Sequence, residues 1–452
     1  MPHGTVISVI EGAANCASAI HARYAAAFRY THEIVSYVGG ARGGRLCALH
    51  KYECLLDLMQ RGGEGDIVLL LTERVAIVSH VPVDPFLSGR DYLLVVVRGT
   101  EPLTGFQIWR NTARSRAIVA ELAARCRLGG MPFPGEAALL GELDSIPWHS
   151  TIDDFHVAMH AAPNVEPRWR AVPTFAVCVE DPAEGLVERE STPRFWDALL
   201  AHIARCGRDA TPYLAWRDDG DPGERAVFNP ARRIAFVTLY TAEVRAYGRI
   251  AEQNFKDYCE RHGYTLYVHR AVPAETGLRA SGNWLKPWLL HAYLASHEWV
   301  IWLDADVLIN NQALRIEALL TGADRLMARD IGQWPFNSGI MGFRRTPLNL
   351  SMLVDLMETI NRLPDTSTVY AVNGDQYYFI EAMRRHALLD ATNIWSPVVI
   401  NTPWFFRQDD SFMVHYFGMW TEMRALMMEC DELERLARTA SNAQGLACGA
   451  HS

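Results

Sequence analysis

The sequence lacks a continuous apolar run of about 18 residues, a closely spaced pair of cysteines and an excess of basic residues. The first absence leaves no transmembrane helix to read. The opening stretch MPHGTVISVIEG goes straight into a strand-like run, with no basic segment ahead of a long apolar one, so no secretory leader is indicated. The nine cysteines are scattered, odd in number and without CxxC or CxH spacing, which excludes a zinc knot or a disulfide scaffold. Lys and Arg total 43 against 52 Asp and Glu, a net charge of −9, which argues against a nucleic-acid binder working through a basic face. These absences point to a soluble protein of the reducing cytoplasm, with no membrane span and no nucleic-acid partner.

What is present is ample core. The 452 residues are 49% apolar and 21% charged, an ordinary globular composition and enough chain for two domains. The segment YLAWRDDGDPGERAVFNPARR (213–233) is dense in Asp, Gly, Pro and Arg and precedes a fresh apolar run, as a linker does. The expected division is 1–212, a linker at 213–233, a domain at 234–430 and a tail at 431–452.

The two halves read alike. Each opens with a strand (TVISVIEG; IAFVTLY), a helical stretch (CASAIHARYAAAFRYTH; RAYGRIAEQNFKDYCERHG) and a second strand (EIVSYV; YTLYVHR). Leu71 aligns with Leu303, Lys51 with Lys286 after a three-residue loop, and IWRNTARSRAIVAELA (108–123) with GFRRTPLNLSMLVDLM (342–357). Further on, PW at 147–148 with DD at 153–154 parallels PW at 403–404 with DD at 409–410. Ordered matches at drifting offsets indicate an internal duplication. Strands alternating with amphipathic helices predict two α/β domains, each a mostly parallel sheet with helices on both faces.

One stretch carries chemistry: EWVIWLDADVLINN (298–311). WVIWL is a strand by composition, so Asp304 and Asp306 fall at its carboxyl end, where such sheets bind ligands. Residues i and i+2 of a strand point the same way, which makes the two carboxylates converge. Two such groups repel, and a hard divalent cation, Mn²⁺ or Mg²⁺, removes the conflict. A lone DxD is commonly a surface turn or helix cap, but apolar flanks on both sides disfavour a solvated turn here. The first half reads LLLTERVAI at this place, with Thr72 and Arg74 in the aspartates' positions. It is expected to keep the scaffold and lose the metal.

The motif resembles the DxD region of glycosyltransferases with the GT-A (Rossmann-like) fold, and more narrowly glycosyltransferase family 34, which includes galactosyl-, mannosyl- and xylosyltransferases. FKDYCERHGYTLYVHR, NWLKPWLL, FNSGIMGFRRTP, GDQYYF and MVHYFG follow in the family's order, over about residues 232–425. The resemblance implies a retaining transfer of a hexose or pentose from a nucleotide-diphosphate sugar, a UDP-sugar first, to a saccharide or glycoconjugate acceptor. It gives Asp304, Asp306 and His415 as metal ligands, with Asp304 shared with the nucleotide. Trp284, Lys286, Gly339, Thr238 and Tyr240 become donor contacts, with Lys286 on a phosphate. Asn337, Asp375 and Gln376 become catalytic candidates on the donor sugar. Plain alternatives stand beside these: a solvated Lys286, a turn at 337–339, and Asp375 as a helix N-cap. The chain departs from the family at Trp420, where members carry a diphosphate-contacting Lys; the nearest later cation is Arg424. Eukaryotic members are Golgi proteins with an anchor, so the lack of one here suggests a bacterial or viral protein of the cytoplasm, or one peripheral at the inner membrane face.

Two rival readings compete with this one. A phosphatase of the haloacid-dehalogenase type also places DxD after a strand, but needs Thr or Val where Leu308 stands. A non-catalytic carbohydrate- or partner-binding protein fits the first half better than the second.

Overall fold

The computed structural model describes residues 3–37, 44–78, 81–96, 102–128, 132–143, 156–159, 174–178, 186–209, 223–276, 282–366, 374–419 and 421–449. The chain forms two compact units, Met1–Ala215 and Trp216–Ser452.

The first unit runs β1 (Gly4–Glu11), α1 (Cys16–Phe28), β2 (Thr31–Tyr37), α2 (Arg45–Arg61), β3 (Ile67–Thr72), β4 (Val75–Ile77), α3 (Asp84–Leu87), β5 (Tyr92–Val96), β6 (Pro102–Arg110), α4 (Ala113–Arg127), α5 (Glu136–Gly141), β7 (His156–Met159), β8 (Thr174–Cys178) and α6 (Leu186–Asp209). Its main sheet has the order β2-β1-β3-β6-β5, and β4-β8-β7 form a small second sheet. Asn15 starts α1 through a reciprocal capping box with Ser18, which satisfies two of the otherwise orphaned N-terminal amides.

The second unit runs β9 (Arg225–Phe228), β10 (Ile234–Leu239), α7 (Arg245–His262), β11 (Thr265–His269), α8 (Lys286–Leu294), β12 (Trp299–Leu303), β13 (Val307–Ile309), α9 (Glu317–Leu320), β14 (Arg325–Ala328), β15 (Asn337–Arg344), α10 (Pro347–Asn361), α11 (Asp375–Arg385), β16 (Ile394–Trp395), α12 (Pro397–Ile400), β17 (Thr402–Pro403), β18 (Met413–His415) and α13 (Thr421–Gly449). Its main sheet is β16-β14-β15-β12-β10-β11-β9, with β13-β18-β17 beside it. Strands β10 and β12 are buried along their whole length, which is why they read as unbroken apolar runs rather than alternating ones. α7 ends where Gly263 takes φ 73°, a left-handed cap that glycine adopts without steric cost.

Both sheets are mixed. β1 is parallel to β2 and β3, and β10 to β11 and β12. Beyond that the pairing turns antiparallel, at β3–β6 and β5–β6 in the first unit and at β12–β15 and β14–β15 in the second. The connection from β14 to β15, residues 329–336, holds no helix. Without a crossover helix the strand returns antiparallel.

Register repeats as well as order. Ile67 pairs with Arg110 as Trp299 pairs with Arg344. Thr112 caps α4 through Ser115 N as Thr346 caps α10 through Asn349 N. Val75 pairs with Cys178 as Val307 pairs with His415. The proposed parallel of 147–148 and 153–154 with 403–404 and 409–410 falls, in the first half, outside the described residues.

Two boundaries differ from expectation. Within the expected linker, Arg225–Phe228 is β9, antiparallel to β11; residues 213–222 lie outside the described set. Nor does a tail begin at 431. α13 runs through that point, and Asp431, Glu432 and Arg435 are buried. Asp431 accepts from Tyr416 Oη, and Glu432 accepts from Asn254 Nδ2 at 2.8 Å. These polar residues find partners inside the unit.

Candidate active site

β12 stops at Leu303, and residues 304–306 form a turn closed by Val307 N donating to Asp304 O at 3.1 Å. The carboxylates therefore converge through this turn and not through strand alternation. The turn is held from both sides: Asp304 N donates to Gly339 O, and Tyr416 N to Asp306 O, each at 2.8 Å. The chain then re-enters β13, whose antiparallel partner β18 sets His415 opposite Val307. One ligand atom from each of Asp304, Asp306 and His415 lies within 4.8 Å of the others.

His415 is oriented by a residue that sequence reading passed over. Its Nδ1 lies 2.9 Å from Asn401 Oδ1. An amide oxygen only accepts, so Nδ1 donates a proton to it. The other ring nitrogen, Nε2, lies 3.1 Å from Asp306 Oδ1. A ring nitrogen this close to a carboxylate oxygen calls for a proton or a cation between them. Two carboxylates and a neutral imidazole suit Mn²⁺ or Mg²⁺, so the residues present fit a divalent ion. Gly339 makes room for the ring: a Cβ there would lie 2.2 Å from His415 Cε1.

Lys286 sits beneath the pair, 1% exposed, and does not reach outward. Its Nζ is 2.9 Å from Asp304 Oδ1 and 2.8 Å from Asp375 Oδ2, and donates to Ser338 O at 3.2 Å. Burial alone lowers the pKa of this ammonium, but Asp304 and Asp375 outweigh it and raise it. Burial raises the Asp304 carboxyl above the usual range; Lys286 opposes the rise and Asp306 adds to it. Burial pushes Asp306 up too, yet Arg424 and His415 outweigh it and hold Asp306 below the usual range. The two acids are thus driven apart, a pattern concentrated at working sites.

The other candidates divide. Asp375 is the first residue of α11 and not its cap, which is Gly374; it accepts from Ser338 Oγ at 2.9 Å. Gln376 Oε1 accepts from Ser338 N, and Asn337 Oδ1 from Gly339 N, both at 2.9 Å. These residues gather around the start of β15, next to the turn. Trp284 lies in the core against Tyr378, ring centroids 5.5 Å apart. Tyr240 is buried and donates to Glu252 at 2.6 Å. Thr238 is buried with its hydroxyl unmatched. Trp420 lies outside the described residues. A cavity of about 480 Å³ opens at the opposite, amino end of β10 and β12, among Arg233, His262, Tyr264, Glu298 and Glu317. It is remote from the carboxylates, and its Arg233 is already paired with Glu298.

The first unit holds a partly similar arrangement at the end of β3. Lys51, 2% exposed, is 2.5 Å from Glu136 Oε1 and donates to Thr104 O at 2.8 Å. Glu136 opens α5 as Asp375 opens α11. By register, Thr72, Arg74 and Cys178 stand where the second unit has Asp304, Asp306 and His415.

Residues 238–341 match the family model of the galactosyl transferase GMA12/MNN10 family. That span covers β10 to β15 with the DxD turn. No curated protein matches the sequence. Solved structures with a related arrangement include a glycosyltransferase involved in glycosylation of the major capsid of PBCV-1, 20% identical, covering 44% of this chain and 100% of its own, with a TM-score of 0.36. The galactosyltransferase LgtC in complex with donor and acceptor sugar analogues is 12% identical, covering 43% of this chain and 94% of its own, with a TM-score of 0.29. The catalytic domain of Drosophila β1,4-galactosyltransferase 7 is 14% identical, covering 40% of this chain and 70% of its own, with a TM-score of 0.26. Over residues 238–341, which hold the DxD turn, the second unit is similar to the galactosyl transferase GMA12/MNN10 family.

Proposed function

We propose that the second unit is a divalent-metal-dependent, retaining glycosyltransferase. It moves a hexose or pentose from a nucleotide-diphosphate sugar, a UDP-sugar first, to a saccharide or glycoconjugate acceptor. The observation that carries this reading is the convergence of Asp304, Asp306 and His415 within 4.8 Å at the carboxyl end of β12, two of them inside the matched segment. An ion held there supplies Lewis-acid stabilisation of the charge that develops on the departing diphosphate.

The chain's own residues do the rest. Lys286 pairs with Asp304 and Asp375 in a buried place. Asn401 fixes the His415 ring so that Nε2 faces the ion's position. Ser338 N locks Gln376 Oε1, which leaves the amide N–H groups of Gln376 for a hydroxyl of the donor sugar. Asn337 and Asp375 line the same corner. Among the described residues, no side chain near the turn stands out as a nucleophile, in keeping with attack from the leaving-group side and proton transfer to the diphosphate.

The first unit is proposed as a duplicated copy that has lost its metal ligands and supports the active unit or binds acceptor. Deleting residues 1–220 then harms stability or acceptor use. Among the described residues, no helix is long and apolar enough to cross a membrane, and the cytoplasm is the proposed place of action. The test of the main reading is a screen of nucleotide sugars for Mn²⁺-dependent hydrolysis, with Asp304→Ala/Asp306→Ala as control. Transfer that survives both substitutions sinks it.

A further inference from the structure

Among the described residues, two cations touch the carboxylates, and they are held differently. Lys286 is 1% exposed and enclosed by Asp304 and Asp375. Arg424, in the first turn of α13, is 16% exposed and has Nη1 3.2 Å from Asp306 Oδ2. Nη1 also donates to Tyr247 Oη at 3.0 Å, and Nη2 to Met419 O at 2.9 Å. The guanidinium carbon lies 5.0 Å from the centroid of the Tyr247 ring. Its Nε is buried and meets no acceptor. A buried N–H without a partner is unfavourable, so this side chain is under-satisfied where it stands.

Asp306 cannot serve both cations fully. A divalent ion shared by Asp306, Asp304 and His415 would stand a few ångströms from the guanidinium. Like charges at that range repel strongly where water is largely excluded. Lys286 has no exit. Arg424 is partly exposed, and its remaining partners are neutral oxygens. Once off Asp306, it is a planar, always-charged fork beside the ion, suited to two oxygens of a phosphate.

We propose that Arg424 is a latch. It neutralises Asp306 while the site is without its ion, leaves Asp306 when the ion is bound, and then pairs with the diphosphate of the incoming nucleotide. Metal and nucleotide therefore bind in order, metal first, and each strengthens the other. The inference rests on the metal-dependent reading above and adds to it the competition between Arg424 and the ion.

The test uses the full chain. Mn²⁺ alone is titrated calorimetrically into wild type and Arg424→Met, and UDP is then titrated at saturating Mn²⁺. Arg424→Met is expected to bind Mn²⁺ about tenfold more tightly and UDP about tenfold more weakly; Arg424→Lys falls between. Unchanged or weaker Mn²⁺ binding by Arg424→Met overturns the latch. Wild type that binds no Mn²⁺ overturns the metal reading itself, a separate result. Should the variants fail to fold, crystals of wild type with Mn²⁺ decide. Arg424 beyond hydrogen-bond reach of Asp306 supports the latch, and Arg424 still on Asp306 beside a seated ion overturns it.

Discussion

Asn401 stands behind His415, its Oδ1 2.9 Å from Nδ1 while the other ring nitrogen lies 3.1 Å from Asp306. Asn401 follows α12 and is 2% exposed. Partners of this kind fix tautomer and ring angle, and losing one typically weakens metal binding about 10–100-fold. Asn401→Leu is expected to weaken Mn²⁺ binding by that order while leaving the melting temperature within a few degrees. Calorimetric titration beside thermal unfolding checks it, and an unchanged affinity would remove Asn401 from the site.

Lys286 is the keystone of the buried charges. Without its ammonium, Asp304 and Asp375 face each other uncompensated. Removing one partner from such a cluster costs about 3–5 kcal/mol. Lys286→Met should lower the melting temperature of the second unit markedly, and adding Asp375→Asn should recover part of the loss. Additive losses in the double variant would show that the pair is not coupled.

Acid should weaken both units before their carboxylates titrate. Burial lowers His21 in the first unit and His269 in the second to about 4. In the unfolded chain both protonate near 6.5. As pH falls below 6.5, the unfolded state takes up protons that the native state refuses. Stability then drops by about 1.4 kcal/mol per pH unit for each histidine, until pH nears 4. Asp304 in the second unit and Asp197 in the first, both raised by burial, act in the opposite sense. Urea midpoints at pH 7 and pH 5 measure the difference, and a flat profile would contradict the burial of these rings.

If the first unit is a silent copy, its register tells how to reawaken it. Thr72→Asp, Arg74→Asp and Cys178→His together should raise the Mn²⁺ stoichiometry of the full chain from one to two. The same triple change with Asp306→Ala in the second unit should leave one ion. Paramagnetic resonance of bound Mn²⁺ counts them. A well-folded graft that binds no additional ion would argue against the equivalence.

The sequence carried the elements well where burial is complete. Trp299–Leu303 is apolar end to end, and α7 announces its stop with His262-Gly263. Asp304 and Asp306 were legible because apolar residues flank them on both sides, where a solvated turn would be polar. Their mode of convergence was not, since a strand and a tight turn can both bring positions i and i+2 together. His415 was legible through family resemblance alone. Asn401 and the pairing of Lys286 with Asp375 were invisible, because each depends on contacts between distant elements that no local pattern records. Arg424 showed only as the nearest cation after Trp420; its place on Asp306 follows from α13 packing against α7. The expected tail failed for a similar reason: its polar residues find partners on Tyr416, Asn254 and Arg407.

The β13–β18 ladder joins a turn near the middle of the second unit to a strand close to its end. During translation the ribosome releases Asp304, Asp306 and Lys286 long before His415 and Arg424. A nascent chain thus exposes the acidic turn with neither its imidazole nor its guanidinium. On the proposed metal-dependent reading, ion capture and sugar chemistry wait until the last strand has threaded beside the turn, and a product truncated before His415 is expected to be inert toward nucleotide sugars.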